Sequence, residues 1–127
     1  MRITTNNTVS YTGTLAENKV EALEILQGKL NEELKVRVFT CSLGFPVQNR
    51  RFETKNDLQN IDNLIFIGVP YFRDANNVNQ EVTLQDLNII KAEMIQDGLV
   101  MYQTKFDKEA RINSATTKEA VWNRLDE

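Results

Sequence analysis

Apolar residues recur every third or fourth position at Val20, Leu23, Leu26, Leu30 and Leu34. That period lines one face of an α-helix. Thr14 and Glu17 precede the run with the spacing of a capping box, in which each residue satisfies a backbone N–H of the first turn. Gly28 falls inside the run, where glycine costs about 1 kcal/mol relative to alanine, and marks either close packing or a break. Before this helix, Ile3-Thr4-Thr5 and Val9-Ser10-Tyr11 are β-rich and flank Asn6-Asn7-Thr8. Asparagine tolerates the positive φ of tight hairpin turns, so an N-terminal hairpin is expected.

From Lys35 the pattern changes to β-branched and aromatic residues, which predicts strands over 36–41, 45–52 and 63–69. Pro46 and Pro70 suit strand ends or edges, because proline cannot donate to a ladder. Residues 55–63 are polar, with Leu58 and Ile61 as apolar anchors, and read as a loop or a short helix. A second long helix is expected from Thr83, capped by Asp86 and presenting Leu87, Ile90, Met94 and Ile95, with Gly98 as its stop. Residues 99–106 alternate like a strand, placing Val100, Tyr102, Thr104 and Phe106 on one face. A last box, Thr116 with Glu119, opens a short helix carrying Val121, Trp122 and Leu125. The expected fold is α+β over a single globular domain, 1–127. It has a mainly antiparallel sheet, two longer amphipathic helices and a short C-terminal helix.

Composition narrows the function classes. The chain has 127 residues, 41% hydrophobic and 26% charged, as in ordinary globular domains. A chain of this size leaves much apolar surface at its periphery, so a homo-oligomer is a natural way to cover it. A net charge of −3 and a pI near 5.1 oppose broad nucleic-acid binding, which needs a basic footprint that releases counterions. No apolar run approaches the roughly 18 residues of a membrane span, and residues 1–10 lack the apolar core of a secretory leader. Cys41 is the single cysteine, so no internal disulfide forms, and a cytoplasmic location with a buried structural thiol is expected.

The chain contains no histidine. Ser-His-Asp and Cys-His machinery is therefore absent from it, as are His-ligated zinc and iron sites. Glu53-Thr54-Lys55 has the Glu-x-Lys spacing of many metal-dependent nucleases, but no aspartate precedes it to supply a further metal ligand. Asp74, Glu81 and Asp86 fit no calcium loop. The glycines at 13, 28, 44, 68 and 98 form neither GxGxxG nor GxxxxGK[ST]. Neither a metal nor a cofactor is expected, and the chain reads as a non-enzyme.

What remains is the stretch 64–77. Leu64-Ile65-Phe66-Ile67 reads as a buried strand that passes through Gly68-Val69-Pro70 to Tyr71, Phe72, Arg73, Asn76 and Asn77. Strand-to-loop junctions commonly present binding residues. Aromatic faces stack on bases, guanidinium groups take phosphate in bidentate fashion, and amides read polar edges. Arg50, Arg51 and Arg111 are the cations that the fold or a second subunit would add, although Arg50 and Arg51 would face opposite sides of a strand. Trp122 either seals the core or anchors a partner.

The chain is asparagine-rich, cysteine-poor, acidic and compact, a style shared with accessory proteins of phages and mobile elements. The expected function is non-catalytic sequestration of a small anionic, nucleotide-like ligand, such as a host defence signal. The alternative is a structural or protein-interaction module: a virion assembly component, or an acidic inhibitor that mimics nucleic acid toward a basic host protein.

Overall fold

The computed structural model describes residues 1–52 and 55–127, which hold four helices and eight short strands. The chain is α+β, and helices dominate it. The strands form four separate two-stranded antiparallel hairpins rather than the expected continuous sheet. Two compact units are distinguished, Met1–Leu30 with Tyr102–Glu127, and Asn31–Met101, with boundaries inside two of the helices.

In the first unit, β1 (Arg2–Thr5) and β2 (Thr8–Tyr11) pair with Thr5 opposite Thr8. Asn6 and Asn7 hold the turn at φ 51° and 65°, the left-handed values a two-residue hairpin needs and asparagine accepts. Helix α1 (Leu15–Val36) begins at the predicted capping box: Glu17 N donates to Thr14 Oγ1 at 3.1 Å, and Thr14 N to Glu17 Oε1 at 3.4 Å. Ala22 and Leu26 of α1 pack with Ile112, Ala115, Val121, Trp122 and Leu125. Val20, expected on the packed face, is exposed. Helix α4 (Lys118–Asp126) is capped by Thr117, one residue later than predicted, whose Oγ1 accepts from Ala120 N at 3.1 Å.

The second unit contains β3 (Val38–Thr40) with β4 (Pro46–Gln48), β5 (Arg51–Phe52) with β6 (Lys55–Asn56), and β7 (Tyr71–Arg73) with β8 (Asn79–Glu81). Its core joins Cys41, Phe45, Val47, Ile61, Phe72, Val82, Leu87, Ile90 and Met94. The cysteine is buried, as expected of a structural thiol.

Two predicted strands are helical. Residues 63–67 belong to α2 (Asp57–Ile67). The Asn56 side chain accepts from Gln59 N at the start of α2, and Gly68 closes it at φ 78°, ψ 38°. Leu64 O then accepts from both Gly68 N at 2.9 Å and Val69 N at 3.2 Å, the double closure that a left-handed residue allows. The apolar run is the last turn of this helix and is not a buried strand, for Phe66 is 92% exposed.

Residues 99–106 lie within α3 (Leu84–Asn113). Its start is the predicted one, with Asp86 N to Thr83 Oγ1 at 3.1 Å and Thr83 N to Asp86 Oδ2 at 2.9 Å. Gly98 does not stop it. Leu87, Ile90, Met94 and Met101 are buried at helical spacing on either side of that glycine. Tyr102 and Phe106, predicted strand neighbours on one face, are instead one helical turn apart, with ring centroids at 6.3 Å.

Candidate functional site

The second unit contains a cavity of about 220 Å³, partly open to solvent and lined by Gln48, Arg50, Asp57, Asn60, Ile61, Leu64, Phe72, Arg73 and Met94. Short elements hold its polar residues. Gln48 ends β4 and Arg50 follows it; Asp57 and Asn60 lie in the first turns of α2; Phe72 and Arg73 belong to β7. Ile61, Leu64 and Met94 supply an apolar wall. Phe72 is itself part of the core, stacked on Phe45 with ring centroids 6.0 Å apart.

The Arg50 guanidinium is clamped. Its Nε donates to Asp57 Oδ2 at 2.8 Å and its Nη2 to Asp57 Oδ1 at 2.9 Å, while Arg50 N adds a third bond to Oδ2 at 2.7 Å. Nη2 also reaches Gln48 Oε1 at 3.0 Å. Burial pushes the Asp57 carboxyl up, but the side-chain and backbone donors of Arg50 outweigh it and hold the group below its ordinary value. Asp57 is therefore ionised near neutrality, and the two charges cancel.

Arg73 differs. It is exposed, and its Nε lies 3.4 Å from Asn77 Oδ1, a long contact. Asp74 attracts it only at longer range, because that carboxylate turns inward to accept from Asn76 N at 2.8 Å, Val78 N at 3.0 Å and Gln80 Nε2 at 2.9 Å. Those bonds, with Gln80 first, hold the Asp74 carboxyl below its ordinary value. They also fix the β7–β8 turn, where Asn77 sits at φ 61°. Asn76 and Asn77 are thus turn residues, and Asn77 accepts from Arg73.

The predicted set is divided. Arg50, Phe72 and Arg73 meet at the cavity. Tyr71 lines a separate concavity with Pro70, Glu81, Val82, Thr83 and Asp86, where two carboxylates would repel an anion. Arg51 is turned away from the first cavity, donating from Nη2 to Met94 O at 2.7 Å. Arg50 lines the cavity and Arg51 does not, but only Arg51 lies in a strand, so the two are not the opposite faces of one strand that the sequence suggests. Arg111 lies in the first unit, 2.6 Å from Glu127 Oε2. Of the Glu53-Thr54-Lys55 triplet, Glu53 and Thr54 lie outside the described residues.

Gln48, Asp57, Asn60, Ile61, Leu64 and Met94 are not among the site residues expected from the sequence, where Ile61, Leu64 and Met94 figure only as apolar positions. Reading 57–67 as one helix, from the Asn56 cap to Gly68, would have placed Asp57, Ile61 and Leu64 on a common face by their spacing of four and three. Among the described residues no helix is long and apolar enough to cross a membrane. No family model, curated protein or solved structure matches the chain.

Proposed function

We propose that the chain is a non-catalytic binding protein for a small anionic, nucleotide-like molecule. The observation that carries this reading is the convergence of Arg50, Arg73, Gln48 and Asn60 on one cavity with an apolar wall. A guanidinium fork suits phosphate geometry, amides suit the polar edges of a base, and Ile61, Leu64 and Phe72 suit its flat body. The non-catalytic part of this reading draws on the protonation state of Asp57, the one carboxylate among the described lining residues. A general acid or base works best with a pKa near the operating pH, and Asp57 is held below the ordinary carboxylate range by Arg50.

Isothermal titration with a nucleotide panel tests the proposal. Wild-type protein is expected to give saturable heat that Arg73→Gln weakens at least tenfold. Arg50→Gln should weaken it further, because it leaves the Asp57 carboxylate facing the ligand uncompensated. Absence of heat with every member, or heat indifferent to both changes, rejects the reading.

A second reading, a protein-interaction module, draws on the end of α2, where Phe66 and Ile67 are 92% and 71% exposed. Large apolar side chains rimmed by polar residues mark interaction surfaces. Stoichiometric capture of a protein that is lost in Phe66→Ser and kept in Arg73→Gln would favour it.

A further inference from the structure

The charges around the cavity are few enough to count. Among the described residues, Arg50, Asp57 and Arg73 are its ionisable lining groups. The first two cancel through the three hydrogen bonds that join them, and Arg73 is left with the long contact to Asn77. The lining groups therefore sum to +1, and the neighbouring Asp74 carboxylate, which interacts with Arg73, keeps the charge offered to a ligand from exceeding that. Space sets a second limit, on how much of a ligand is buried, since about 220 Å³ is below the roughly 300–1,000 Å³ of pockets that enclose drug-sized ligands.

From these two limits, and resting on the proposal that this cavity is the binding site, we infer that its ligand is a monoanionic phosphodiester carrying one flat ring, the charge class of a cyclic mononucleotide. A diester carries one negative charge, which Arg73 matches. A terminal phosphate monoester carries about −1.5 to −2 near neutrality, so part of its charge would have no cation to answer it, since Arg50 is already taken by Asp57. Placing unpaired charge against an apolar wall is unfavourable. Within this arrangement Arg50 is a positioning residue, holding Asp57 and Gln48, and Arg73 is the charge-recognising one. Asp57 then acts as a selectivity element by occupying the Arg50 guanidinium, which withholds a second cation from more highly charged relatives of the ligand.

Titration of wild-type protein with 3′,5′-cyclic AMP, 3′,5′-cyclic GMP, 5′-AMP, ADP and ATP at one ionic strength tests the inference. At least one cyclic nucleotide is expected to bind tenfold or more tighter than 5′-AMP, with no gain from AMP to ATP. Affinity that rises with phosphate number overturns the inference and leaves the binding proposal standing. Absence of binding by all five overturns both. Asp57→Asn raises the cavity charge to +2 and is expected to shrink the preference for the cyclic form at least threefold. Retention of the full preference in the folded variant, checked by circular dichroism, counts against the role given to Asp57. The wild-type ranking decides the charge class independently of that variant.

Discussion

Trp122 donates its indole Nε1–H to Asn18 Oδ1 at 2.8 Å, across 104 positions of sequence. Both side chains are at most 2% exposed. Asn18 spends its two amide hydrogens on Thr12 O at 2.9 Å and Thr14 O at 2.8 Å. One amide thereby ties the loop after the first hairpin, the start of α1 and the indole of α4. The tryptophan is a core residue with its polar edge satisfied, as buried indoles require.

Asn18→Ala is expected to destabilise the protein by about 2–4 kcal/mol, because it strands a buried N–H and removes a donor from two carbonyls. Trp122→Phe removes only the indole donor and part of the ring, and should cost less. Urea denaturation of both variants and their double mutant measures the coupling. Strictly additive losses would show that the two side chains are not partners in solution.

Gly98 lies in the middle of α3 with Arg51 against it. A Cβ there would sit 2.3 Å from Arg51 Nη1 and 2.6 Å from its Cζ. The guanidinium is fixed by Met94 O, and its Nε is buried without a hydrogen-bond partner among the described residues. In a free helix Gly→Ala gains about 1 kcal/mol. Here the gain from Gly98→Ala is expected to be largely offset by displacement of Arg51 from Met94 O. In an Arg51→Ala background the same change should show its full gain of up to about 1 kcal/mol, and an equal effect in both backgrounds in urea denaturation would refute the packing.

Acid should unfold the second unit through specific carboxylates. Asp97 accepts from Arg37 Nη2 at 2.6 Å and Nε at 3.0 Å, and from Asn49 Nδ2 at 2.9 Å. Burial pushes its carboxyl up, but these donors prevail and leave it below the ordinary value, as in Asp57 and Asp74. A depressed folded-state pKa contributes stability that is complete above the unfolded value, about 3.9, and fades as pH falls through the folded value. Stability in urea should therefore be flat with respect to these groups from pH 7 to about 5 and fall steeply below about pH 4. Asp97→Asn should lower the plateau and make the acid limb shallower. An unchanged acid limb would mean that Asp97 is not held ionised by Arg37.

The elements legible in the sequence were those with complete local signals. Thr14 with Glu17, Thr83 with Asp86, and the Asn6-Asn7 turn each combine a cap or turn residue with the right period, and each forms where expected. The failures came where one residue type serves two purposes. Gly98 resembles a helix stop but accommodates Arg51, a residue 47 positions earlier that no local pattern reveals. Leu64-Ile65-Phe66-Ile67 has the composition of a buried strand, yet its apolar period alone does not separate strand from helix, and the Asn56 and Gly68 caps decide it. At the cavity, Arg50, Phe72 and Arg73 were identified by chemistry. Asp57 and Gln48 were not, because their importance lies in pairing with Arg50 in space.

Two further glycines separate conformation from contact. Gly28 is in α1, with nothing within 4 Å of where an added Cβ would stand, and Gly68 has equally open space but sits at φ 78°. Gly28→Ala should therefore stabilise by about 1 kcal/mol, through helix propensity and loss of unfolded-state freedom. Gly68→Ala should destabilise by about 1–2 kcal/mol, since an L side chain is strained in the left-handed region. Gly68→Asn should cost less than half of that, because asparagine accepts the conformation that ends α2. Urea midpoints with unchanged m-values would report these differences as stability alone. If Gly68→Ala were neutral, α2 would not end in a left-handed cap at Gly68.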